Sequence, residues 1–170
     1  MLRVRLSGRG VVLGILIAIS LAFLTYSQYA RDAERKRKVA GLLPDSIQIS
    51  DVIFVEDDGG FRESCGAAIF RLSDSTKSAL ERHGLSYLKS ATKPAASQNF
   101  IYNDWQITPI PQQWTTEGLW YGLDCVEGED ALVKRVFEQA NRAGGYYTHA
   151  SPNRRLVVLP ALGVVVYSWG

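Results

Sequence analysis

The sequence predicts an α+β protein: an N-terminal transmembrane helix followed by one small domain with a mostly antiparallel sheet and two helices. Three observations carry this. An uncharged, largely apolar run stands between two basic clusters near the N-terminus. Beyond it, β-rich segments arrive in pairs separated by turn residues. Two further segments each show a single apolar stripe at helical spacing. The expected order within the domain is β-β-α-β-α-β-β-β, with the helices packed on one face of the sheet. The boundaries read as a basic flank at 1–10, a signal-anchor helix at 11–30, a charged juxtamembrane linker at 31–43 and a globular domain at 44–170.

Arg9 and Arg31 are the nearest charges on either side of the apolar run, with 21 uncharged residues between them. At about 1.5 Å per residue, such a helix is about 30 Å long, matching the apolar core of a bilayer. The most apolar part is Val11 to Leu24. Tyr26 and Tyr29 follow at the depth expected for lipid headgroups. A cleaved secretory signal is the competing reading, since Arg3, Arg5 and Arg9 make a good n-region. The cleavage site is poor, however: cutting after Ala30 leaves Gln28 where a small residue is wanted, and cutting after Ser27 leaves a tolerable Thr25 only just past the apolar core. The anchor is therefore the expectation. Orientation is contested, because Arg31, Arg35, Lys36, Arg37 and Lys38 follow the run and pull the domain toward the cytoplasm. The signal-like N-terminus and the cysteine pair pull it outward, and the outward reading is adopted.

The net charge of +2 conceals a split. Residues 1–38 carry eight Lys or Arg and two acids, a net of +6; residues 39–170 carry eleven and fifteen, a net of −4. The basic charge thus belongs to the flanks of the apolar run, where it can meet anionic lipid. An acidic domain is not expected to bind nucleic acid.

Within the domain, Ser46 to Glu56 reads as a strand, Asp57-Asp58-Gly59-Gly60 as a hairpin turn, and Phe61 to Leu72 as the returning strand. Ser73 is placed to cap a helix over 74–83 that ends at Gly84. Residues 89–118 are irregular and rich in proline and aromatics. Leu119 to Cys125 reads as the third strand. Leu132, Val133, Val136, Phe137 and Ala140 form the stripe of a helix over 129–142. Gly145 to Ala150 is a short strand, and 155–159 with 164–169 form a terminal hairpin in the middle of the sheet.

Cys65 and Cys125 are an even pair in a chain with an export-like N-terminus, and a disulfide is expected between them. Tyr102, Trp105, Trp114 and Trp120 lie in or beside the long irregular segment. They read either as an interaction surface for an extended peptide or glycan, or as an added core. His83 sits in a last helical turn and His149 beside tyrosines, both in structural contexts. Glu56/Asp58 and Glu127/Glu129 are paired carboxylates better explained by a turn and a helix start. No GxSxG, no CxxC and no phosphate loop occurs, so no cofactor, metal or catalytic residue is expected.

The function expected is that of a single-pass protein of the cytoplasmic membrane, with its domain on the extracytoplasmic side. Its partners would be membrane lipid, through residues 11–30 and the basic flanks, and another envelope protein bound by the domain. The alternatives are a membrane-tethered enzyme and a small-ligand or peptide sensor.

Overall fold

The computed structural model describes residues 8–59, 65–96, 99–115, 120, 122–126, 130–150 and 153–170, with residues 8–13 and 130 described by their backbone alone. Arg3, Arg5, Gly60, Phe61–Ser64, Leu119, Tyr121, Glu127 and Glu129, named above, lie outside these residues. The chain divides into two compact units, Met1–Arg35 and Lys36–Gly170.

The first unit is carried by helix α1, Gly8–Ala40, which runs on into the second. Ile15, Leu16, Ile17, Ile19, Leu21, Phe23 and Leu24 are all exposed. Successive residues are about 100° apart around a helix, so Ile15, Leu16 and Ile17 alone present apolar surface on three sides. The hydroxyls in this stretch turn inward on their own helix: Thr25 Oγ1 donates to the carbonyls of Leu21 (3.1 Å) and Ala22 (2.9 Å), and Ser27 Oγ to that of Leu24 (2.8 Å). Among the described residues, no helix is long and apolar enough to cross a membrane.

The second unit is an α+β domain. Its described strands form one six-stranded sheet in the order β1-β2-β6-β5-β4-β3, with every neighbouring pair antiparallel. The strands are β1 Ile49–Asp57, β2 Gly66–Leu72, β3 Gln106–Ile107, β4 Tyr146–Ala150, β5 Arg154–Leu159 and β6 Val164–Trp169. The terminal pair β5–β6 does occupy the centre, which explains its continuous run of apolar residues: both faces of a central strand are covered. Along β5, Leu156 and Val158 enter one apolar cluster while Val157 and Leu159 enter another on the opposite face.

Helices cover both faces, and this corrects the one-face expectation. Helix α2 (Asp74–His83), with the short α3 (Leu85–Leu88), places Leu80 and Leu88 in the first cluster. Helix α4 (Asp130–Ala140) places Val133, Val136 and Ala140 in the second. The helix stripes were legible, but a stripe does not say which side of the sheet it meets.

Local signals set the ends of α2. Ser73 Oγ accepts from the Thr76 N–H at 3.2 Å, satisfying one of the free amides of the first turn. At the other end Gly84 takes φ 51° and its N–H returns to the Leu80 carbonyl. The helix α1 ends similarly, with the Gly41 N–H on the Arg37 carbonyl. Residues 36–43, read from sequence as linker, contribute to the folded unit: Leu43 is buried in the first cluster, and Val39, Ala40 and Leu42 pack against it.

Of the segment Leu119 to Cys125, expected to be the third strand, the described residues 120 and 122–125 lie in no strand. The strand in that place in the order is Gln106–Ile107, which pairs with Tyr147 and Tyr146. The described residues 122–125 form a turn, with the Leu123 N–H on the Trp120 carbonyl at 2.9 Å. This segment is apolar because Trp120 and Leu123 are plugged, fully buried, into the second cluster. Burial of two large side chains imitates the composition of a strand without the ladder.

Candidate functional site

The sulfurs of Cys65 and Cys125 are joined in a disulfide across 60 residues, with Cα atoms 5.9 Å apart, inside the ordinary range for such a bridge. Neither cysteine lies within a strand, contrary to the sequence reading. Cys65 precedes β2, and Cys125 closes the turn that carries Trp120 and Leu123. The bond pins that turn where it packs flush against the sheet. Gly122, at φ 94°, lies so close that a Cβ there would meet the Gly66 carbonyl oxygen, Ser168 Cβ and the Trp169 carbonyl oxygen, each at 2.8 Å. The Trp120 indole N–H reaches across to Ser168 Oγ at 3.0 Å. Asp124 joins the two sulfurs in a group whose ligand atoms lie within 4.8 Å, but sulfurs bonded to each other provide no thiolate for a metal.

The four aromatic candidates separate. Tyr102, Trp105 and Trp120 are buried, so they are core residues rather than an interaction surface. Tyr102 donates its hydroxyl to the Leu42 carbonyl at 2.9 Å, and Trp105 its indole N–H to the Ala91 carbonyl at 2.8 Å. Buried aromatic polar groups need such partners. Through Tyr102 and Trp105, the described part of the irregular segment contributes to the core. Trp114 remains partly exposed, as the last residue of a short 3-10 turn over Gln112–Trp114.

Trp114 organises a surface cluster over β4 and β5. It meets Tyr147 edge to face at 5.2 Å and His149 at 6.1 Å, and the Arg155 guanidinium lies 5.3 Å from its ring centre. His149 Nε2 lies 2.7 Å from the Asn103 amide, and the Asn103 N–H donates to the His149 carbonyl. The imidazole is thus held by an amide, with no nucleophile or carboxylate in the contact. His83, exposed in the last turn of α2, offers only its carbonyl, to Ser86 Oγ.

A second arrangement, with no single sequence motif behind it, is a cleft of about 320 Å³ on the domain. It is lined by Val39, Leu42, Asn99, Phe100, Arg154, Tyr167 and Trp169. Tyr167 and Trp169, two residues apart on β6, share a face and stack at 5.5 Å with planes 26° apart. Arg154, at the start of β5, sets its guanidinium 4.6 Å from the Phe100 ring centre. Phe100 in turn meets Tyr102 edge to face at 5.2 Å. Burial raises the Tyr167 hydroxyl above the ordinary phenol range, partly opposed by the charge and hydrogen bond of Arg154. Tyr102 behind it is raised further, chiefly by burial. The cleft therefore combines aromatic and aliphatic walls with one guanidinium. The two ends of the β5–β6 hairpin supply Arg154 and Trp169, residues far from Phe100 and Val39 in sequence, which is why the cleft escapes a linear reading.

Comparison with known proteins returned no match to any family model, to any curated protein or to any solved structure.

Proposed function

We propose that this chain is a single-pass membrane protein whose α+β domain lies on the extracytoplasmic side and binds another envelope protein. The carrying observation is the pairing of an apolar helix exposed on several sides with a disulfide in the domain that follows. Exposed apolar surface of this extent calls for a cover, and lipid covers all sides of a helix at once. The described side chains begin at Gly14, and the sequence adds Val11, Val12 and Leu13 ahead of them. The self-satisfied hydroxyls of Thr25 and Ser27 suit an environment without water. A disulfide persists in oxidising compartments, which favours the outward side over the cytoplasm. The aromatic cleft favours a second reading for the domain, recognition of a small ligand or peptide.

The test uses the full chain in cells, with a maleimide that cannot cross membranes. The chain is expected in the membrane fraction, resistant to alkaline carbonate. Cys65 and Cys125 are expected to react in intact spheroplasts, and only after reductant. Recovery in the soluble fraction, or labelling without reductant and only after lysis, would overturn the assignment.

A further inference from the structure

We propose that Asp124 guards the Cys65–Cys125 bond against thiol–disulfide exchange, so that the bond is a lasting brace and not an exchangeable one. This goes beyond the membrane reading and does not depend on which side the domain occupies.

Exchange starts when a thiolate attacks one sulfur of the bond. Access leaves one target: Cys65 is only 7% exposed, whereas Cys125 is half-buried in a turn. Attack at Cys125 Sγ by an external monothiol forms a mixed disulfide there. The bond to Cys65 breaks, its electron pair goes to Cys65 Sγ, and that sulfur then takes a proton from solvent. A second external thiolate attacks the outer sulfur of the mixed disulfide and releases Cys125, which is protonated in turn. The protein gains two electrons and two protons, and two external thiols become one disulfide.

Asp124 opposes the anions on this path. Its Oδ1 lies 3.5 Å from Cys125 Sγ. A disulfide sulfur has no proton to donate, so this is a bare carboxylate set against the sulfur under attack. The carboxylate lies within 4.8 Å of both sulfurs, and therefore faces the arriving thiolate and the departing one. It is held there: the Gly122 N–H donates to Asp124 Oδ1 at 2.9 Å, and Gly122 itself is packed flush on the sheet. Among the described residues Asp124 has no ion-pair partner. The sequence holds no lysine or arginine between Lys93 and Lys134 to offset it. Burial of the leaving sulfur, Cys65, disfavours its thiolate as well. In water, like charges about 4 Å apart change a rate by about fivefold, and salt screens the effect.

The experiment follows reduction of the oxidised full chain in detergent by three small monothiols, with rates taken per thiolate. Cysteamine carries an ammonium that cancels its thiolate charge, 2-mercaptoethanol carries the thiolate alone, and 2-mercaptoethanesulfonate adds a second negative charge. The rate of Asp124→Asn divided by that of the wild type cancels the intrinsic reactivity of each probe. This ratio is expected to be about fivefold for mercaptoethanol, larger for the sulfonate and smaller for cysteamine. The asparagine keeps an oxygen for the Gly122 N–H, so the thermal melt is expected to stay unchanged. Asp124→Glu, which keeps the charge, is expected to stay closer to the wild-type rate. In the wild type itself, raising salt to about 1 M is expected to speed the sulfonate most and cysteamine least. Ratios near one for all three probes would overturn the proposal, because the charge then has no effect. A single raised ratio shared by all three would overturn it too, since a loosened turn admits every thiol alike. So would reduction at a rate independent of thiol concentration, which means exchange waits on opening of the fold. If Asp124→Asn fails to fold, the salt series on the wild type decides, and the absence of its charge order overturns the proposal. None of these outcomes bears on membrane fractionation, so this proposal and the membrane reading fail separately.

Discussion

Removal of the Cys65–Cys125 bond is the perturbation whose cost follows most directly from the fold. The bridge closes a loop across 60 residues. The chain-entropy relation gives about 14 cal/mol/K for a loop of that length, or about 4 kcal/mol at 25 °C. A typical domain is stable by about 5–15 kcal/mol, so the loss is a large share of the whole. The assay is urea unfolding of the oxidised chain, the reduced chain and Cys65→Ala/Cys125→Ala, followed by circular dichroism in one detergent. Both perturbed forms are expected to lose about 4 kcal/mol, with the melting temperature falling on the order of 15 °C. They should agree with each other to within about 1 kcal/mol, because Cys125 is only half buried and the turn keeps its Trp120 and Leu123 anchors. If the reduced chain unfolds within about 1 kcal/mol of the oxidised one, the bond is not restraining the unfolded state, and the loop argument is wrong.

Three further outcomes are expected. Ser73→Ala should cost about 1 kcal/mol by removing the cap on the Thr76 amide, measured by urea unfolding. Gly122→Ala should cost about 3 kcal/mol or more, because its φ of 94° disfavours a side chain and the added Cβ meets two carbonyl oxygens; a melt like that of the wild type would count against the packed turn. Stability should be level below pH 10 and fall above it, since Tyr102 and Tyr167 are raised by burial while the unfolded chain ionises at the ordinary value of 10.0. A raised phenol contributes stability below the unfolded pKa and loses it as pH rises toward the folded pKa, at most about 1.4 kcal/mol per pH unit for each group. Urea melts at pH 9 and pH 11, with phenolate absorbance followed in parallel, check this, and equal stability at the two values would refute it.

The parts of the fold legible in sequence are those with local causes. Helix α2 was readable to its ends because Ser73 and Gly84 act on their own neighbours. The β5–β6 hairpin was readable as central because a strand covered on both sides has no polar alternation. The cysteine pairing was inferable from parity and context, although neither residue sits in a strand. The failures have a common physical origin. Trp120 and Leu123 are buried by what they touch across space, so their segment reads as a strand when it is a plug. Tyr102 and Trp105 look like a surface because their neighbours are polar, while the Tyr102 hydroxyl and the Trp105 indole N–H donate to backbone carbonyls inside. The cleft was illegible because Arg154, Phe100 and Trp169 meet only after β5 and β6 enter the sheet.

The sheet order has a consequence for how the domain comes together. β6 is the last strand in sequence, yet it is the one that joins the β1–β2 ribbon to β5 and the strands beyond. Until it docks, the described strands can form only two separate pieces, each with a raw edge. Assembly therefore cannot keep pace with synthesis, and an early ribbon must wait while some ninety residues pass, from Leu72 to Val164. Such waiting invites strand exchange with another copy or capture by a chaperone. Both cysteines leave the ribosome before β6 does, so covalent closure and closure of the sheet are separable events. A trapped species with its bond formed and its sheet open is the intermediate to look for.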